Sequence, residues 1–513
     1  MNSPDASIEA SPPLARIIPR DGHNISRQHI SPDALRVLYR LKDAGFQAFL
    51  VGGCVRDLML GITPKDFDVA TDALPEQVKR LFRNCRLVGR RFRLAHVFFG
   101  RETIEVATFR ASSAPPPGED PPPDADADGD EEIGDVDAVA SDEFDEHGDI
   151  NGNRADPNES RPRDADRGRD WQPAGDTDRV VGAEGRILRD NVYGTIDDDV
   201  WRRDFTANAL YYNIADFSVW DYVGGAEDIA ARQLKLIGDP ETRYREDPVR
   251  MLRAARFEAK LGFSIESATA EPMLQHAELL AGVPSARLFD ETLKLFLGGH
   301  GLRSLDVLRA RGLLGALLPN VAEFLDRYPG TAIETLLRKG LENTDRRVRE
   351  DRSVTPTFLF AIMLYGPIAL AIETQPRERW TDIDTILDAV DTAVRQLLSR
   401  VSVPRRFTLG VRDMYAMQPR LESPRGRRAL RLLEHPKFRA AFDLLQLRAE
   451  CGMANPQIVE WWDALQKAEP QQREELAEAT STQRPREGGG AGGARKPRSR
   501  RRGRRGGGPR TAS

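Results

Sequence analysis

Asp66 and Asp68 are the pair whose type and spacing point most directly to chemistry. On an extended strand a period of two sends both carboxylates to one face, with Phe67 and Val69 on the other. Two carboxylates on one face repel each other unless a cation sits between them, and their hard oxygen donors suit Mg2+. Upstream, the apolar run Phe49-Leu50-Val51 ends in Gly52-Gly53, a turn whose backbone N–H groups lie open, and Arg56 follows on the next helix. A glycine pair alone is usually a tight turn, and an Asp-x-Asp alone is usually a solvated strand end. In this order and within about twenty residues they describe one mechanism. The amides of Gly52 and Gly53 and the Arg56 guanidinium hold a triphosphate, while Asp66 and Asp68 hold the Mg2+ that activates an attacking hydroxyl.

Three other stretches could contribute. Arg202-Arg203-Asp204-Phe205-Thr206 offers two guanidiniums and a carboxylate, suited to a triphosphate and a metal or sugar, or else to a buried Arg–Asp pair. Glu105, on an expected strand over 103–109, becomes a third carboxylate beside Asp66 and Asp68 if the strands pair antiparallel; its alternative is a solvent-facing position on a half-exposed sheet. After Asp247 and Pro248, a helix sets Arg250, Arg253 and Arg256 three apart, a basic stripe that either solvates the helix or meets a nucleobase edge and phosphates. His96 lies on an otherwise apolar strand and reads as packing, and Cys54 as a small side chain that fits the turn.

These residues need a scaffold, and the periodicity supplies one. Ser31 and Pro32 open a helix that Gly45 ends; a strand at 49–51, a helix at 55–60 and a strand at 65–70 follow. A helix over 75–82 and strands over 86–88, 95–99 and 103–109 come next, then a hairpin from 210–214 and 219–222. Beyond Gly262 apolar residues recur at spacings of three and four with no convincing strand, so the C-terminal half reads as all-helical. The expected fold class is α+β: a small mixed sheet with helices, then helical domains.

A chain of 513 residues holds two or three domains. No apolar run approaches the roughly 18 residues of a membrane span, and residues 1–20 lack a signal-like apolar core, so the expected setting is cytoplasmic. Three widely spaced cysteines, Cys54, Cys85 and Cys451, exclude a disulfide framework and a four-cysteine zinc site. Residues 111–185 hold 23 acidic and 6 basic residues, a net of −17 that leaves +12 on the rest of a chain totalling −5. Proline runs and few apolar residues make that segment an expected disordered insert. Residues 488–513 carry nine Lys and Arg among glycines, an expected disordered tail suited to RNA.

Read together, Gly52-Gly53-x-x-Arg56-Asp57, Asp66-x-Asp68, Arg202-Arg203-Asp204-Phe205-Thr206 and Glu246-Asp247-x-x-Arg250-x-x-Arg253-Ala254-x-Arg256-Phe257 resemble the class II nucleotidyltransferase superfamily. Pro64-Lys65-Asp66-Phe67-Asp68-Val69-Ala70-Thr71, Gly89-Arg90-Arg91-Phe92-Arg93-Leu94-Ala95-His96-Val97 and Glu241-Thr242-Arg243-Tyr244-Arg245-Glu246-Asp247-Pro248 resemble its bacterial poly(A) polymerase branch rather than its tRNA branch. The resemblance implies a nucleotidyltransferase head or palm with a five-stranded sheet over 31–237, interrupted by the insert, after a flexible leader over 1–30. A nucleotide- and RNA-binding helical neck over 238–300, RNA-binding helical body and leg domains over 301–470 and a disordered basic tail over 471–513 complete it.

The same resemblance implies ATP as substrate, two Mg2+ ions and growth of RNA 3′ ends, with mRNA and small RNAs as targets and RNA-decay machinery as a candidate partner. It assigns Asp66, Asp68 and Asp204 as catalytic; Gly52, Gly53, Arg56, Arg203, Asp247, Arg250 and Arg253 as nucleotide-binding; and Asp66, Asp68 and Glu105 as metal-binding. A CCA-adding enzyme shares the palm chemistry and is the nearest alternative. A catalytically silent RNA-binding adaptor is a more distant one, disfavoured by three unpaired carboxylates at one site.

Overall fold

The computed structural model describes residues 15–89, 93–100, 102–111, 179–181, 187–190 and 193–482. Most of the expected acidic insert, residues 1–14 of the leader, Arg90-Arg91-Phe92 and the tail beyond residue 482 lie outside the described residues.

The first element to form as expected is the helix Pro32–Asp43. Pro32 occupies its first turn, the Ser31 hydroxyl accepts from the N–H groups of Asp33 and Ala34, and Val37, Leu38 and Leu41 are buried. It packs on a sheet of eight strands in the order β1-β10-β9-β2-β3-β6-β5-β4. These are β1 (Arg16–Ile18), β2 (Ala48–Val51), β3 (Asp68–Thr71), β4 (Cys85–Val88), β5 (Leu94–Phe99), β6 (Glu102–Thr108), β9 (Leu210–Asn213) and β10 (Val219–Asp221). A separate hairpin joins β7 (Arg179–Val181) to β8 (Ile187–Asp190).

Eight strands replace the expected five. The segment expected as leader contributes β1, which pairs antiparallel with β10, and Ile25 and Ile30 behind it are buried in the core. Two more corrections bear on the site. The strand expected over 65–70 begins at Asp68, with Asp66 and Phe67 on the approach to it. β3 and β6 pair in parallel, not antiparallel, while every other neighbouring pair in the sheet is antiparallel.

The sheet is covered on both faces. Leu50, Val69 and Val106 join the helix Pro32–Asp43 in one core, and Phe49, Val51, Ala70, Phe109 and Tyr211 join Ile196 and Val200 of the helix Ile196–Trp201 in another. This is why β2 is buried at all four positions.

From Pro240 to Thr482 the regular elements are helices, apart from β12 (Ser264–Ile265), which pairs in parallel with β11 (Gln233–Leu234). The last helix, Pro470–Thr482, extends into the region expected as tail. Among the described residues no single helix is long and apolar enough to cross a membrane. The helices Pro356–Met363 and Tyr365–Glu373 reach that length only when joined across a 43° bend. Leu359, Phe360, Ile362 and Met363 of the pair are core residues.

Candidate active site

Strand register builds one row of side chains across the sheet. Tyr211 of β9 lies opposite Val51 of β2, Val51 opposite Asp68 of β3, Asp68 opposite Glu105 of β6, and Glu105 opposite His96 of β5. In-register partners share a face, so these five positions form one line. Asp66, two residues before Asp68 on the approach to β3, is exposed and near enough for its charge to raise the Asp68 pKa.

Asp68 is the electrostatic centre of this row. Burial raises its carboxyl pKa first, the Glu105 charge raises it further, the Arg203 guanidinium lowers it, and Asp66 raises it again, for a value of about 6. A half-buried carboxylate facing two others is a site that gains from a cation. Among the described residues no three carboxylate, imidazole or thiol groups converge to form a complete metal cage. Mg2+ does not need one, since it is commonly held by one or two carboxylates together with waters and substrate phosphates. Asp66 and Asp68 fit that donor set. Glu105 is exposed, with its carboxylate 3.6 Å from Nε2 of His96, so His96 stands at the edge of the row and not in the core.

The glycine turn closes over this row. Gly52 has φ +80, in the left-handed region open to glycine, and a Cβ there would lie 3.7 Å from an Asp68 carboxylate oxygen and 3.9 Å from Nη1 of Arg203. Arg203 is held from behind: its Nε donates to the Tyr211 hydroxyl at 2.7 Å and its Nη2 to Asp199 at 2.8 Å, while the Tyr211 hydroxyl donates to Asp199. Gly52, Asp68 and Arg203 therefore converge. The partners Tyr211 and Asp199 were missed by sequence reasoning; the one available signal was Asp199 four residues before Arg203 on a helix. Cys54 fits the turn as a small buried group, its sulfhydryl donating to the Val51 carbonyl.

Arg56 points elsewhere. It is 2% exposed, its Nε and Nη2 donate to Asp57, and its Nη1 donates to Asn208 at 2.5 Å. Asn208 donates in turn to Asp204, which also accepts from its neighbour's N–H, that of Phe205. Asp204 takes both Nε and Nη2 of Arg253, at 2.7 and 2.5 Å, on one oxygen. Burial would raise the Asp204 pKa, but the Arg253 charge and hydrogen bonds outweigh it and hold the carboxyl at about 2. Asp57, Arg56, Asn208, Asp204 and Arg253 thus form a chain of polar contacts from the glycine turn to the helix Val249–Leu261.

That helix does not carry an exposed arginine stripe. Arg250 is buried and donates to the Arg243 carbonyl at 2.7 Å and to Glu246 at 2.9 Å. Arg253 serves Asp204, and Arg256 lies over the Phe257 ring, 3.4 Å from the buried Glu291 carboxylate. Arg243 donates to the carbonyls of Arg202 and Arg203. Asp247 receives both terminal nitrogens of Arg287, at 2.8 and 2.7 Å, a clamp from a helix forty residues away that no local pattern announced.

Comparison with known proteins agrees with this geometry. The chain matches family models described as the Poly A polymerase head domain over residues 48–235, a probable RNA and SrmB-binding site of polymerase A over 262–325, and the polymerase A arginine-rich C-terminus over 378–505. It is 42% identical over 486 residues to the poly(A) polymerase I of Salmonella typhi, covering 94% of this chain and 92% of that protein. A CCA-adding enzyme of Lactobacillus helveticus is more distant, 29% identical over 274 residues that span 53% of this chain and 52% of that one. In fold the chain is similar to a solved tRNA-processing enzyme in its apo form, with a TM-score of 0.52 at 19% identity, covering 89% of this chain and 99% of that one.

Proposed function

The chain belongs to the poly(A) polymerase family, and on that premise we propose that Asp66 and Asp68 are the carboxylates through which it adds adenylate from ATP to RNA 3′ ends. The observation that carries this reading is the convergence of Gly52, Asp68 and Arg203, which sets an open backbone turn, a cation-seeking carboxylate and a fixed guanidinium around one space. Mg2+ held by Asp66 and Asp68 would supply charge neutralisation for the triphosphate and a lower pKa for the RNA 3′-hydroxyl. In the reaction a bond forms between that hydroxyl oxygen and the α-phosphorus, the α–β phosphoanhydride bond breaks, and pyrophosphate leaves.

The protein's own groups do the positioning. Arg203, locked by Tyr211 and Asp199, presents Nη1 toward the turn, where a phosphate oxygen gains a charge-assisted hydrogen bond without reorganising the side chain. Gly52 supplies the left-handed φ of +80 that brings the turn up to Asp68 and Arg203. Asp204, paired with Arg253, is a positioning residue in this reading: it fixes the helix Val249–Leu261 against the head, with Arg56 and Asn208 completing the tie. Glu105 is a metal neighbour that adds negative charge beside Asp68.

Base choice falls to the edge formed by Asp247 and Arg250. Arg287 fixes the first and Glu246 the second, so the incoming base meets groups that are already oriented. A cytoplasmic setting with mRNA and small RNAs as substrates belongs to the same reading, since ATP, Mg2+ and free RNA 3′ ends are met together there.

The test is extension of a generic RNA oligonucleotide with Mg2+ and each nucleoside triphosphate separately. Long extension with ATP and little with CTP, GTP or UTP is the expected result. Refusal of the oligonucleotide, with addition of two cytidines and one adenosine to tRNA lacking its end, would contradict it.

A further inference from the structure

The helix Val249–Leu261 lays one stripe of side chains against the head. Arg253, Phe257 and Lys260 follow one another at spacings of four and three, so they share a side of the helix, and Arg256 flanks them. Arg253 meets Asp204, Phe257 packs edge-to-face on Phe205 at 5.6 Å, and Lys260 comes near enough to Asp57 and Asp66 to feel both charges. Three guanidiniums surround the Phe257 ring: Arg56 at 5.4 Å, Arg253 at 5.7 Å and Arg256 at 4.7 Å from its centroid. Each has a carboxylate of its own, Asp57, Asp204 and Glu291 in turn. A fourth cation at this seam is therefore a surplus.

Lys260 is that cation. It is exposed, and among the described residues it forms no ion pair and no side-chain hydrogen bond. Although exposed it is crowded: desolvation lowers its pKa first, Asp57 raises it, Arg56 and Arg256 lower it, and Asp66 raises it. An ammonium that loses water and faces two guanidiniums lacks a matching anion. Each carboxylate of the metal-binding pair thus has a cation acting on it, Arg203 of the head on Asp68 and Lys260 of the helical part on Asp66. Arg203 is already committed to Tyr211 and Asp199, whereas Lys260 is free to move. The other end of the same helix carries Arg250 of the base edge, ten residues and about 15 Å away at the helical rise. An extended nucleoside triphosphate covers a comparable length from its base to its last phosphates.

We propose that Lys260 is a phosphate-binding residue of the reaction: with the base of ATP at Asp247 and Arg250, its ammonium takes an oxygen of the β- or γ-phosphate. Negative charge gathers on those phosphates as the α–β bond breaks, so the contact strengthens along the reaction and holds the departing pyrophosphate. The helix then acts as a ruler, reading the base at one end and the phosphates at the other. A ligand with the same base and no β-phosphate does not reach Lys260. This rests on ATP being the substrate, as proposed above.

The test uses the full chain without RNA and measures by calorimetry, in the presence of Mg2+, the binding of AMP and of a non-transferable ATP analogue with a methylene bridge between the α- and β-phosphates. Lys260→Gln should weaken the analogue about tenfold, the worth of one charge-assisted hydrogen bond, and leave AMP unchanged. Lys260→Arg should recover most of the lost affinity, because it restores a cation at nearly the same place. In turnover with RNA, kcat/KM for ATP should fall about tenfold in Lys260→Gln while its ratio to that for CTP stays as in the wild type. An RNA oligonucleotide blocked at its 3′ end should bind both proteins equally; loss of RNA affinity with the analogue unaffected would assign the ammonium to an RNA phosphate and overturn the proposal. No effect on either nucleotide overturns it too. So does equal weakening of the analogue and AMP, the mark of a lysine that only complements the C-terminal end of its helix. A wild-type chain that adds no adenylate contradicts the reading of the reaction, while the contrast between the analogue and AMP still decides the role of Lys260.

Discussion

Arg253 reaches across from the helix Val249–Leu261 to place two hydrogen bonds, at 2.7 and 2.5 Å, on a single carboxylate oxygen of Asp204. The contact ties the turn after the helix Ile196–Trp201 to the arginine-bearing helix, and through Asn208 and Arg56 it reaches the glycine turn. Removing one partner strands the other charge in a largely buried setting. Arg253→Ala should therefore destabilise the protein by about 3–5 kcal/mol, whereas Arg253→Ala/Asp204→Ala should cost less than the sum of the two single changes. Urea denaturation of the four proteins measures this; additive effects would mean the pair is not coupled.

The same pair makes stability depend on acid. The Asp204 carboxyl is held at about 2 in the folded protein, below its value of about 4 when unfolded. The unfolded chain thus takes up the proton first as pH falls. The contribution, about 2 kcal/mol, is fully present above pH of about 5 and is lost as pH drops from about 4 to about 2. The stability gap between wild type and Asp204→Asn should narrow over that window; a constant gap would show that the pairing does not set the carboxyl's pKa.

Arg287 offers a test of base choice that spares the carboxylates. It fixes Asp247 through two hydrogen bonds, so Arg287→Ala should free that side chain to reorient. Discrimination between ATP and CTP, measured as the ratio of kcat/KM values, should fall about tenfold with a smaller loss in kcat, because a wrongly paired polar edge costs about 1–3 kcal/mol. An unchanged ratio would remove Asp247 from the base-reading edge.

Glu105 should act on the metal and not on the fold. Glu105→Gln removes one of the charges that raise the Asp68 pKa while keeping an exposed side chain of similar shape. It should raise the Mg2+ concentration needed for half-maximal activity about tenfold and leave the melting temperature within a degree or so. An unaltered Mg2+ requirement would make it an ordinary solvent-facing glutamate.

Much of this was legible in the chain because its signals are local. The Ser31-Pro32 start, the Gly52-Gly53 turn and the alternation around Asp68 each depend on residues a few positions apart, and the structure has all three. The failures are those of distance. β1 is three residues long and has meaning only through its pairing with β10, some two hundred residues later. The direction of β6 beside β3 is set by the intervening β4 and β5, not by any residue in β6. Helical spacing placed Arg250, Arg253 and Arg256 correctly along their helix but could not say that they face Glu246, Asp204 and Glu291 rather than solvent. The contact of Arg56 with Asn208 was illegible for the same reason, since the two lie 152 residues apart.

The central claim is that Asp66 and Asp68 carry the chemistry, and single-turnover incorporation of ATP into an RNA oligonucleotide tests it most directly. Asp66→Asn and Asp68→Asn should each reduce Mg2+-dependent incorporation by at least about a thousandfold, with ATP-independent RNA binding retained. Folding should survive in both, and without Mg2+ the Asp68→Asn protein should melt no lower than wild type, because the change removes a buried charge that faces Glu105 and Asp66. Appreciable Mg2+-dependent turnover in either variant would contradict the assignment.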